Sequence, residues 1–159
     1  MGAPFLIILS GLPGTGKSTV ARELCRRLHA VFAHVHRMMR TALAAGYPVV
    51  MDATNLTARH RAHALAIAAR AGIPAHIVLV RAPVPVVRAR LACRPPTEAG
   101  WSVYLRMVAA AQPIAGPHWE LDTSKQFAVP LGRVIAALRR GASPGRVAPP
   151  QQQARDRTR

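Results

Sequence analysis

The segment that most constrains this chain is Gly11-Leu-Pro-Gly-Thr-Gly16-Lys17-Ser18, because it joins two patterns of different period. Before it stands Phe5-Leu-Ile-Ile-Leu9, a continuous apolar run expected of a strand buried on both faces of a parallel sheet. After it, Val20, Leu24 and Leu28 recur every four residues and predict a helix from Lys17 to about His29. Strand, glycine-rich turn and helix in that order aim the backbone N–H groups of the turn, and the positive end of the helix dipole, at one point. Gly11, Gly14 and Gly16 let the backbone curl there, Lys17 can reach the outer phosphates of a nucleotide, and Ser18 can place its hydroxyl on Mg²⁺. The expected phosphate-binding set is Gly11, Gly14, Thr15, Gly16, Lys17, Ser18 and Thr19.

The rest of the chain continues the alternation. Ala30 to Val35 reads as a short strand, Arg37 to Ala45 as a helix stopped by Gly46, and Pro48 to Met51 as a buried strand ending at Asp52. A helix is predicted over Thr57 to Ala71, with Asn55 or Thr57 as N-cap and Gly72 closing it. Ala75 to Val80 is a third buried strand, and a helix starts at Pro83 and runs to about Cys93. Glu98 to Ala111 reads as helix, His118 to Leu121 as a short strand and Leu131 to Arg140 as a final helix. Strands alternating with helices imply right-handed crossovers and an α/β fold, a parallel sheet flanked by helices. A chain of 159 residues has room for one such domain, expected over residues 1–140. Residues 141–159, GASPGRVAPPQQQARDRTR, lack a periodic apolar face and are expected to form a disordered basic tail.

No apolar run approaches the length of a membrane span, and no membrane partner is expected. Cys25 and Cys93 make no disulfide framework, so a reducing, cytoplasmic setting is the expectation. Lys and Arg number 22 against 6 acids, a formal charge of +16. Such a balance suits a polyanionic partner, but it also fits an Arg-rich composition, because Lys occurs only at Lys17 and Lys125 and the arginines are scattered. Scarce acids are more telling. Asp52, at the end of the apolar run Val49-Val-Met, is where a carboxylate would hold Mg²⁺ together with Ser18.

Several blocks in fixed order narrow the reading: GLPGTGKST (Gly11 to Thr19), VVMDATN (Val49 to Asn55) followed by Arg61, RARLACR (Arg88 to Arg94), WSVYLRM (Trp101 to Met107) and HWELDTS (His118 to Ser124). From Phe5 to about Arg140 the chain resembles the small P-loop kinase-like ATPases, the predicted-kinase family, which is similar to the 5′-hydroxyl polynucleotide kinases and more distantly to adenylate kinase. The resemblance implies a P-loop NTPase fold with adenylate-kinase-like strand order. It also implies binding of ATP with Mg²⁺ through the Walker A segment, and transfer of the γ-phosphoryl group to a hydroxyl acceptor, either a nucleic-acid 5′ end or a small metabolite. Lys17, Asp52, Arg90 and Arg94 are the catalytic residues it implies, the two arginines matching those of the lid that embraces the transferring phosphate. Their spacing of four puts both on one side of a helix.

One departure stands out. Relatives carry an Asp and then an Arg just after the second strand, where the Asp orients or deprotonates the acceptor hydroxyl; here the segment reads Ala-Val-Phe-Ala-His34-Val-His36-Arg37 and looks shortened. A single helix from Ala33 to Ala45, about 20 Å long, would end at the wrong edge of the sheet, and Gly46-Tyr47-Pro48 is too short to return. The chain closes if Val31 to Val35 forms a stunted edge strand, with His36 or Arg37 near the phosphate mouth. Without the Asp, His36 or Asp52 would have to serve as base. His60, His63 and His76 lack a Cys or acidic partner at ligand spacing, so no structural zinc site is expected. Three functions stay open: an active kinase, a nucleotide-binding module with weak or lost transferase activity, and a basic nucleic-acid-binding protein in which ATP is incidental.

Overall fold

In the computed structural model, which describes residues 3–95 and 100–141, eleven elements follow one another: β1 (Leu6–Ser10), α1 (Lys17–Leu28), β2 (Val31–Ala33), α2 (His36–Ala44), β3 (Val49–Asp52), α3 (Ala58–Arg70), β4 (Ala75–Arg81), α4 (Val84–Ala92), α5 (Trp101–Ala110), β5 (Trp119–Asp122) and α6 (Ala128–Arg139). The five strands form one parallel sheet in the order β2-β3-β1-β4-β5. The strand β1 is central and buried at every position, as its unbroken apolar run requires.

Side chains of period two divide the core between the sheet's faces. On one face Ile7, Leu9, Val50, Val78, Val80 and Leu121 pack with α1 and α6 through Val20, Leu24, Leu131 and Ile135. On the other, Leu6, Ile8, Val49, Met51 and Ile77 pack with α2 and α3 through Met39, Leu43, Ala64 and Ala68. Both faces are thus covered by helices, the arrangement of a P-loop NTPase fold.

The shortened second strand is where the chain length demanded it. β2 has three residues, pairs in parallel with β3 (Val31↔Val49, Phe32↔Val50, Ala33↔Met51) and occupies the sheet edge, with His36 opening the helix that follows. Helix α1 ends at Leu28, and its cap His29 takes the left-handed conformation at φ 50°. Of the two candidate caps for α3, Thr57 serves: its hydroxyl accepts from the His60 N–H at 3.3 Å. The last helix begins three residues before the expected Leu131, because Pro130 lies in the first turn, where its missing N–H costs nothing. The predicted start of α5 at Glu98 falls outside the described residues, as does the expected tail beyond Gly141. No helix among the described residues is long and apolar enough to cross a membrane.

Candidate functional site

All five strands run the same way, so their C-terminal ends and the loops after them gather at one end of the sheet. Three of those loops build the site. After β1 the chain enters the glycine-rich turn, whose first N–H, that of Gly11, donates to the Thr54 carbonyl at 3.1 Å. A Cβ at Gly11 would collide with the carbonyl oxygen of Val80 on β4, and one at Gly14 would press within 3.0–3.2 Å of Val87 and Leu91. Both glycines also have positive φ, 156° and 80°. The turn is therefore sandwiched between β4 and α4, and Leu12 joins Val87, Leu91, Tyr104 and Trp101 in a small core beneath the α4–α5 hairpin. Trp101 stacks on Tyr104 at 4.7 Å, and the guanidinium of Arg88 lies 5.3 Å over the Trp101 ring.

Lys17 opens α1 with its side chain folded back, Nζ donating to the Leu12 carbonyl at 3.0 Å. Burial holds its ammonium down to about 8 from an ordinary 10.5; the carboxylate of Asp52 pulls the value back up and the cation of Arg94 lowers it further. The Lys17 ammonium thus lies within electrostatic reach of both the Asp52 carboxylate and the Arg94 cation. Asp52 ends β3, opposite Leu9, and is buried at 8% exposure, while Ser18 is exposed at the helix start. A carboxylate and a hydroxyl are hard oxygen donors that suit Mg²⁺, and no cluster of three His, Cys, Asp or Glu side chains able to hold a metal occurs among the described residues.

Arg90 does something other than reach into the mouth. Its Nη1 donates to the Thr123 hydroxyl at 2.9 Å and to the Gly14 carbonyl at 3.3 Å, and its Nη2 donates to the Thr123 carbonyl at 2.7 Å. Both terminal nitrogens thus bond to Thr123, and one of them also to the turn. Thr123, which the sequence offered only as part of the HWELDTS block and not as a site residue, is 5% exposed and donates its hydroxyl to the Thr15 carbonyl at 2.6 Å.

Two residues of the Asp-Ala-Thr-Asn segment's surroundings also have structural work. Asn55, buried with φ 45°, donates from Nδ2 to the Leu9 carbonyl at 2.7 Å, and its own carbonyl accepts from the Ser10 hydroxyl at 3.0 Å and from Arg61 Nη1 at 2.9 Å. Arg61, 4% exposed, further donates to the carbonyls of Leu56, Gln112 and Pro113 at 2.7–3.2 Å, pinning the loop after β3 to the segment before β5.

On the β2 side His36 meets His63 edge to face at 4.4 Å, and its Nε2 is buried without a hydrogen-bond partner. Burial first, then His63, Arg40 and His60, push its pKa below the ordinary value, which makes it a weak proton acceptor. On the opposite side a cavity of about 670 Å³ opens between α1 and the loop after β5, bordered by Thr19, Arg22, Thr123, Lys125, Gln126 and Phe127. Its one carboxylate, Glu23, is tied to Arg26 at 2.7 Å and Arg27 at 2.6 Å.

A family model described as an AAA domain matches residues 29–114, more than half of the chain. No protein of curated function matches the sequence. Among solved structures the chain is similar to the Mycobacterium tuberculosis APS kinase CysC in complex with AMPPNP and APS, at 20% identity and a TM-score of 0.63 over 87% of this chain and 99% of that one. It is similar to a gluconokinase from Sinorhizobium meliloti, at 18% identity and a TM-score of 0.66 over 89% and 95%. Kti12 of Chaetomium thermophilum, solved with ADP-AlF3, gives 18% and 0.66 over 85% and 97%. At these identities the shared property is a P-loop kinase-like fold.

Proposed function

From the fact that this chain belongs to the AAA domain family, we infer that its phosphate loop binds ATP with Mg²⁺ and that the chain transfers the γ-phosphoryl group to a hydroxyl acceptor. The observation that carries this is the turn itself, curled through positive φ at Gly11, Gly14 and Gly16 ahead of α1, with the Lys17 ammonium folded onto its Leu12 carbonyl at 3.0 Å. The residues of the turn, Gly11 to Thr19, cradle the phosphates, and Lys17 leaves the Leu12 carbonyl to neutralise the outer ones. Ser18 and Asp52 would hold Mg²⁺, which when bound draws negative charge from the phosphate oxygens. Arg94 meets the charge that develops on the transferring group. The base and ribose fit the cavity beside Thr19, Lys125 and Phe127, next to the loop that follows Leu121.

In the transfer the bond from the γ-phosphorus to the β,γ-bridging oxygen breaks, a bond to the acceptor oxygen forms, and the acceptor proton leaves. In this reading Asp52 serves both the metal and that proton, because His36, with a depressed pKa and a buried Nε2, is the weaker acceptor. Asp52 is also the one acid between Leu24 and Thr97, whereas the helices α2 and α3 carry the exposed cations Arg37, Arg40 and Arg59, so an acceptor carrying negative charge is favoured. A second reading, a nucleotide-binding module without transfer, is favoured by the stretch from Leu24 to Met51, which contains no carboxylate at all.

Transfer of labelled phosphate from ATP separates the two. Activity on 5′-hydroxyl oligonucleotides or on phosphorylated hydroxy metabolites, lost in Lys17→Met and in Asp52→Asn, is the expected result. ATP binding without transfer to any acceptor in either pool leaves the binding module; no binding of ATP at all sinks both.

A further inference from the structure

A loop that binds phosphate through its amides must turn its carbonyls away, and those carbonyls need donors of their own. In a planar trans peptide the C=O and the following N–H point in opposite directions, so fixing the Thr15 carbonyl also fixes the direction of the Gly16 N–H. The Thr15 carbonyl is held by the Thr123 hydroxyl at 2.6 Å, the shortest hydrogen bond the turn makes to a residue outside it. The hydroxyl in turn accepts from Arg90 Nη1 at 2.9 Å, and the same nitrogen reaches the Gly14 carbonyl at 3.3 Å. Thr123 is itself anchored: its N–H donates to the Arg81 carbonyl at 3.0 Å, its carbonyl accepts from Arg90 Nη2 at 2.7 Å, and a Cβ at Gly16 would come within 3.2 Å of its hydroxyl. Thr123 sits 5% exposed, with one hydroxyl proton given and one lone pair taken.

We propose that Thr123 is a positioning residue whose hydroxyl holds the Thr15–Gly16 peptide in its phosphate-receiving orientation, and that Arg90 acts through it as a brace rather than on the transferring phosphate. The proposal rests on the nucleotide reading given above and adds to it the part that pre-organises the cradle. Pre-organisation of this kind acts on any ligand bearing the phosphate chain, whether or not a base is attached. A residue that merely lines the base cavity acts on ligands with a base alone.

Thr123→Val keeps the shape and removes both hydrogen bonds. Calorimetric titration with tripolyphosphate and with ATP is the test, with thermal unfolding as the check that each variant folds. Affinity for both ligands is expected to fall by the same factor, about tenfold, and Thr123→Ser is expected to restore both. If the valine variant does not fold, Thr123→Ala takes its place in the same titration. Unchanged tripolyphosphate affinity in the folded variant, with or without weaker ATP binding, overturns the proposal, as does failure of the serine to restore it. A wild-type protein that binds neither ligand overturns the nucleotide reading itself, a result distinct from either of these.

Discussion

Burying an ammonium against one backbone carbonyl works against folding, and at Lys17 the proposed binding of phosphate would offset that cost. Its folded pKa of about 8 lies below the ordinary 10.5, chiefly through burial. Between those values the unfolded chain keeps the proton and the folded chain has lost it, so stability rises with pH across that window and the penalty is complete below it. Lys17→Met is therefore expected to stabilise the ligand-free protein at pH 7 by roughly 1–2 kcal/mol, an amount discounted for partial solvent access, and to abolish the rise in Tm that ATP gives the wild type. For the wild type, ATP affinity should weaken as pH climbs past about 8, which titration at pH 7 and pH 9 measures. The place of Lys17, first in α1 behind a glycine-rich turn, was legible in the sequence because such a turn needs specific residues at fixed local spacing. The bond that Thr123 makes was not, although its block was noticed: its partner Thr15 is 108 positions away, and no local pattern records which hydroxyl will meet which carbonyl.

At the scale of elements, the alternation of apolar runs with four-residue periodicity located every strand and helix, since each must bury one face or stripe against its neighbours. Boundaries shifted where a single residue overrode the period, as Pro130 did inside the first turn of α6. Arg61 drew notice as part of a motif, yet its place in the fold is that of a clamp between two loops, satisfying the carbonyls of Asn55, Leu56, Gln112 and Pro113. Arg61→Met leaves those four acceptors without their donor in a buried setting and is expected to cost about 2–4 kcal/mol, read as a lowered denaturation midpoint. The α4–α5 hairpin, seated on the turn through Leu12, Val87 and Leu91, makes a different demand. Gly14→Ala, with its Cβ 3.0 Å from Val87, pushes that hairpin off the loop, so ATP affinity should drop at least tenfold while the sheet core stays folded by circular dichroism.

Over the whole molecule, the formal charge of +16, which counts the histidines as neutral, was visible in the composition, but not that the helices carrying Arg37, Arg40 and Arg59 would flank the strand ending at Asp52. Folding places α2 and α3, with Arg40, His60 and His63 around His36, beside the strand that ends at Asp52. Transfer to a 5′-hydroxyl oligonucleotide is accordingly expected to fall steeply between 50 and 200 mM salt, values set by general counterion behaviour at roughly that range, whereas transfer to a small acceptor declines little; initial rates at the two salt concentrations decide it. The stunted edge has a consequence of another kind. A sheet's rim is an invitation to any passing strand, since its outward amides and carbonyls lack partners. Here one rim is three residues long and the other four, too little backbone for a stranger to zip onto, so the brevity of both edges guards the molecule against sticking to itself.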